Sequence, residues 1–161
     1  CFVPNGNYKT IVEKLKPESF VKGNIIDTSG KILGKHSGIA NFTIGQRKGI
    51  KVSSSEPYFV IKIDNKKNEV IVGSRNDLLV KNIFLRDINL LCETSELKGE
   101  FLVKVRSTGN LLPCKVSEHG NKVELEIGEG GISPGQACVL YRKDDIGLRV
   151  FGGGWIKETE K

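Results

Sequence analysis

Past Lys16-Pro17 the chain never again sustains a helical period. Apolar and polar residues instead alternate in short runs, each closed by Gly, Asn, Asp or Ser, as in strands that bury one face. Asn24-Ile25-Ile26-Asp27 leads into the turn Thr28-Ser29-Gly30-Lys31, and Ile32-Leu33-Gly34 returns. Residues 58–64 and 69–73 form the arms of a hairpin around Asn65-Lys66-Lys67-Asn68. Residues 81–91 read as a strand pair that ends in an acidic loop at 93–99. Phe101, Val103 and Val105 then share one face of a strand. Segments 112–116 and 122–127 flank Glu118-His119-Gly120-Asn121, 137–141 follows, and a last hairpin runs through Asp144-Asp145 to Ile156. Only before Pro17 do Tyr8, Ile11, Val12 and Leu15 recur at helical spacing, with Asn7 as N-cap. The expected fold is mainly β. One short N-terminal helix in a segment 1–17 precedes a small β-rich domain over 18–78, and residues 79–161 form an antiparallel barrel of about six strands.

At 161 residues and 38% hydrophobic, the chain can bury one fair core or two small ones. No apolar run approaches the ~20 residues of a membrane span, and no stretch resembles a secretory signal, so no membrane partner is expected. With no Met, the sequence is expected to begin inside a longer chain. Net charge is +6 and unevenly placed: residues 1–80 carry 13 Lys/Arg against 7 Asp/Glu, whereas residues 81–161 carry 12 of each. A basic first half favours a polyanionic partner and is equally compatible with mere solubility.

Four cysteines stand at 1, 92, 114 and 138, without a C-x-x-C pair or a His at zinc-finger spacing, so no metal site is expected. Cys92, Cys114 and Cys138 sit among apolar neighbours and read as reduced core residues, which fits a bacterial cytoplasm or a mitochondrial matrix. His36 and His119 are isolated and read as surface or hairpin residues.

Residues 36–50 read HSGIANFTIGQRKGI. Ile39, Phe42 and Ile44 make an uneven apolar run suited to a short strand. Gly45 and Gly49 bracket Gln46-Arg47-Lys48, which lets the backbone turn and expose three long polar side chains. Arg47 offers a planar fork, Lys48 a mobile point charge and Gln46 a donor with an acceptor, a group suited to an RNA backbone beside an unpaired base. A solvated basic turn has the same composition.

Taken together, Gly34-Lys35-His36-Ser37-Gly38 and Phe42-Thr43-Ile44-Gly45-Gln46-Arg47-Lys48-Gly49 resemble the G-x-H-x-G…(Y/F)-T-(I/L)-G-Q-R-K-G signature of tRNA-specific 2-thiouridylases. The resemblance runs along the whole chain. It implies a tRNA-recognition portion of an enzyme that places sulfur on C2 of the wobble uridine. Val103-Lys104-Val105-Arg106-Ser107 is similar to the family's K-(I/V/T)-R-(Y/S) strand end, with Ser107 where tyrosine is usual. Ser133-Pro134-Gly135-Gln136-Ala137 is similar to its (T/S)-P-G-Q-(A/S) turn. By that resemblance Gln46, Arg47, Lys48, Arg106, Ser107 and Gln136 contact tRNA, and Gly152-Gly153-Gly154-Trp155-Ile156 serves packing.

Cys1-Phe2-Val3 resembles the family's triplet that carries sulfur as a persulfide, which implies Cys1 as the catalytic thiol and a sulfur-donor protein as a partner. The family activates uridine with ATP and Mg on a Ser-Gly-Gly-x-Asp-Ser loop, and no such loop occurs here. The chain is therefore expected to bind no cofactor itself, to act as a monomer, and to be inactive alone. A non-catalytic RNA-binding barrel of translation-factor type remains the alternative, with Cys1 inert. An N-terminal-nucleophile hydrolase using Cys1 fits poorly, because that class stacks helices on its sheets.

Overall fold

The computed structural model describes residues 8–54 and 56–161, and Cys1 with its triplet lies outside them. The chain divides into two compact units, Cys1–Leu78 and Leu79–Lys161.

The first unit opens with helix α1 (Tyr8–Leu15), followed by a 3₁₀ turn at Pro17–Phe20. Lys16 leaves the helical region at φ −144°, as a residue ahead of proline must, and this ends the helix. Four strands follow: β1 (Gly23–Asp27), β2 (Ile32–His36), β3 (Phe59–Asp64) and β4 (Glu69–Gly73). They form a sheet in the order β2-β1-β4-β3, two antiparallel hairpins joined by a parallel β1–β4 pairing at its centre. Each hairpin is closed by an aspartate. Asp27 Oδ1 accepts the N–H groups of Ser29 and Lys31, and Asp64 Oδ1 those of Lys66 and Lys67. Ile25, Ile50, Val60, Val70 and Val72 form the core, with Leu33, Ile39 and Phe42 packed against it.

The second unit is a closed six-stranded barrel, as the alternation implies. Its strands are β5 (Leu79–Leu90), β6 (Glu100–Lys104), β7 (Leu112–Val116), β8 (Lys122–Gly130), β9 (Ala137–Lys143) and β10 (Leu148–Glu160), and the order is β10-β5-β8-β7-β6-β9 with β9 pairing back to β10. Closure leaves no ladder edge unpaired. Phe101, Val103, Val105, Leu125, Leu140 and Ile156 fill the interior. Arg142 lies 4.0 Å over the Phe101 ring and donates to the carbonyls of Glu96 and Lys98, which fastens the 93–99 loop to the barrel end.

Two elements differ from the sequence expectation. Residues 81–91 are not a strand pair: 81–90 belong to the single long strand β5, which turns its direction without ending. Asp87 adopts φ 50°, and residues 87 and 88 stand opposite Gly154 alone, because Arg86 pairs with Trp155 and Asn89 with Gly153. That is a β-bulge, which bends the strand around the barrel. The apolar run at 39–44 is likewise no strand. Ile39–Asn41 is a 3₁₀ turn, whose tight curve lets Ile39 and Phe42 both reach the core.

Candidate nucleic-acid interface

In the first unit the predicted basic turn is built on Thr43-Ile44-Gly45-Gln46. Gly45 takes φ 86°, the value a type II turn demands of its third residue, and the Gln46 N–H donates to the Thr43 carbonyl at 3.0 Å. The Gln46 side chain is not extended to solvent, contrary to the sequence expectation. Its Oε1 accepts the Thr43 N–H at 3.0 Å and its Nε2 donates to the Lys48 carbonyl at 2.8 Å. Those two bonds tie both ends of the turn together and leave one amide proton for a ligand. Arg47 and Lys48 are exposed, with no ion pair among the described residues. Arg47 borders an open hollow of about 460 Å³ with Lys51 and Tyr58 on its wall.

His36, read as a surface or hairpin residue, ends the hairpin strand β2 and is buried (5% exposed) behind this turn. Its Nδ1 accepts the Gly38 N–H at 3.0 Å, and its Nε2 stands 3.2 Å from the Asn68 carbonyl. Only the neutral ring protonated at Nε2 satisfies both, so His36 links β2, the 65–68 turn and the chain entering the basic turn. Its edge packs on Phe42, ring centroids 5.6 Å apart. Burial lowers its pKa, and the Asn68 carbonyl offsets this in part. The unfolded chain therefore takes up a proton at higher pH than the fold does. Stability is full above the unfolded value, 6.5, and falls as pH drops through it toward the folded value. An NMR titration of the His36 ring is expected to show a midpoint below 6.5, and a midpoint at or above that value removes the clamp from the account.

The second unit carries the same turn. Ser133-Pro134-Gly135-Gln136 repeats Thr43-Ile44-Gly45-Gln46: Gly135 also takes φ 86°, the Gln136 N–H donates to the Ser133 carbonyl, and Gln136 Oε1 accepts the Ser133 N–H at 3.2 Å. Even the docking repeats. Gly45 N–H and Gln46 C=O bracket Val60 at 2.8 and 2.9 Å, and Gly135 N–H and Gln136 C=O bracket Ile156 at 2.8 Å each.

Strand register gathers the other predicted residues beside this second turn. Lys104 of β6 pairs with Val139 of β9, and Val139 with Gly153 of β10. The alternation that buries Val103 and Val105 puts Lys104 and Arg106 on the outer face. Arg106, Ser107 and Gln136 thus line one open groove of about 640 Å³, together with Lys104, Tyr141 and Trp155. Arg106 is partly committed. Its Nη2 donates to Glu129 Oε1 and to the Gly130 carbonyl, both at 3.0 Å. The guanidinium is thereby aimed, and its remaining donors stay available to a phosphate.

Cys114 and Cys138 are fully buried, and burial pushes both thiols up to about 12, so neither presents a thiolate near neutral pH. Cys92 is half-buried, its pKa also raised by burial. The glycine run 152–154 lies within β10, where a Cβ on Gly153 would meet the Cys138 carbonyl oxygen at 2.2 Å. Its backbone is packed against β9, so it offers no phosphate cradle.

Residues 9–74 match the family model described as tRNA methyl transferase PRC-barrel domain, and residues 80–156 that described as aminomethyltransferase beta-barrel domain. The tRNA-specific 2-thiouridylase MnmA of Parvibaculum lavamentivorans is 49% identical over 99% of this chain and 43% of its own length. Those of Rhodopseudomonas palustris and Rhizobium meliloti are each 44% identical, over 99% and 100% of this chain and 42% of their own lengths. The chain spans about two fifths of the relatives it matches, and over that span it belongs to the tRNA-specific 2-thiouridylase family.

Proposed function

We propose that this chain is the tRNA-recognition portion of a tRNA 2-thiouridylase. The observation that carries the reading is the groove on the barrel, where Lys104, Arg106 and Gln136 converge in a chain similar from end to end to proteins of that name. Arg47 and Lys48 on the first unit, with Lys104 and Arg106 on the second, supply cations for phosphate oxygens. The locked glutamines supply N–H donors. Ser107 adds a hydroxyl to the groove.

In this reading Cys1 carries the sulfur. The terminal sulfur of its persulfide attacks C2 of the wobble uridine as the activating group leaves, and a second thiol then attacks Cys1 Sγ. A disulfide forms there, and the sulfur stays on the ring. Cys114 and Cys138 are buried in the barrel core and are poor candidates for that second thiol. In the same reading, ATP-dependent activation of the uridine and the encounter with a sulfur-donor protein fall to parts of the enzyme outside these 161 residues.

Salt dependence tests the reading. Each phosphate contact contributes roughly −0.9 to the slope of log K against log salt on a duplex. The double variant Arg47→Ala/Lys48→Ala is therefore expected to flatten the slope for a tRNA transcript by about 1–2 units. Equal slopes and equal low-salt affinity for variant and parent would contradict the proposed contact.

A further inference from the structure

Trp155, the one tryptophan of the chain, stands on the outer face of the barrel at 48% exposure, between buried Ile156 and two glycines that carry no side chain. Its neighbours across the two ladders are Ala137 on β9 and Arg86 on β5. The positions before it on β10 and opposite it on β9 are thus cut low, and the residue lines two hollows: the groove of about 640 Å³ with Arg106 and Gln136, and a second of about 310 Å³ floored by Gly152, Gly153 and Gly154. Trp155 is neither a core residue of the barrel nor one of the partly buried hydrophobics packed against that core.

We infer that Trp155 is a stacking platform for an unpaired base of the bound RNA. The inference rests on the tRNA reading above and adds to it the place where a base leaves its stack. An indole face bordered by cations and an amide donor is the arrangement that holds single-stranded nucleotides irrespective of sequence. Charge selects the occupant. Lys104 and Arg106 are the charged residues lining the larger groove, Arg106 being held from behind by the Glu129 carboxylate at 3.0 Å, whereas Asp87 lies on the smaller one. A base laid on Trp155 therefore has its phosphate toward Lys104 and Arg106 and an edge toward the Gln136 amino group, which has no acceptor among the described residues. An apolar peptide would leave Lys104 and the remaining donors of Arg106 unused.

The lone indole is its own reporter. Titrating the 161-residue chain with an unmodified tRNA transcript is expected to quench Trp155 emission, with the same midpoint as the anisotropy of end-labelled tRNA. Trp155→Ala is expected to weaken binding roughly ten-fold or more, and Trp155→Phe, which keeps a ring, by less. The melting temperatures of both variants are expected to stay near the parent's. Unchanged emission on binding, or a Trp155→Ala chain that binds as tightly as the parent, overturns the stack and leaves the tRNA reading in place. A parent chain that binds no tRNA by anisotropy overturns both.

Discussion

Replacing Cys1 by serine in the complete thiouridylase is expected to abolish tRNA thiolation while leaving tRNA affinity unchanged. Serine keeps the size and polarity of the side chain, but an oxygen cannot hold the sulfane sulfur that the transfer needs. The contrast lies in the other thiols. Cys114→Ser and Cys138→Ser put a hydroxyl at fully buried positions, where an unmatched polar group costs about 1–3 kcal/mol. They are expected to lower the melting temperature and to leave turnover per folded molecule intact. Single-turnover thiolation of a tRNA transcript by each variant measures both effects. Wild-type turnover by Cys1→Ser would remove Cys1 from the chemistry, and with it the catalytic half of the proposed function.

The largest expected effect on the fold comes from Gly153→Ala. An added Cβ would lie 2.2 Å from the Cys138 carbonyl oxygen and 3.1 Å from Val139 Cα, both backbone, so no side chain can swing aside. Strands β9 and β10 have to separate where the barrel closes. A cost of about 3 kcal/mol or more is expected, a fall in melting temperature of roughly 10–25 °C for a domain of this size. Gly99→Ala is the control. Its φ of 92° is unfavourable for alanine, yet nothing lies within 4 Å of the new methyl, so about 1 kcal/mol is expected. Trp155 emission follows the unfolding of this unit in both variants. A Gly153→Ala chain as stable as Gly99→Ala would mean that β9 and β10 do not approach as closely as described.

The strands were legible because a small barrel buries one face of each, and Phe101, Val103 and Val105 alternate for that reason alone. The bulge in β5 was not legible. Arg86-Asp87 has the composition of a turn, and only its pairing with β10 shows that the chain continues through it. His36 does lie in a hairpin, but its burial was not legible, because the partner that makes that burial tolerable, Asn68, lies 32 residues away. The locked glutamines are a different case. Thr43-Ile44-Gly45-Gln46 and Ser133-Pro134-Gly135-Gln136 share a pattern that could be seen by laying one beside the other. Trp155 was passed over because its neighbours are glycines, which pointed to packing, and packing is what those glycines do.

The twin turns bear on the entropy of recognition. A free glutamine on a surface samples many rotamers and both amide orientations, and a ligand that fixes it pays for that freedom at the moment of binding. Gln46 and Gln136 have lost it already, since each carbonyl oxygen is held by the N–H three residues earlier in its own turn. The immobilisation is charged to folding rather than to association. It also biases a polarity: each oxygen already accepts one bond from its own turn, whereas each amino group keeps an N–H to offer, so an acceptor is favoured there. These two positions thus favour a ligand that presents a hydrogen-bond acceptor to them.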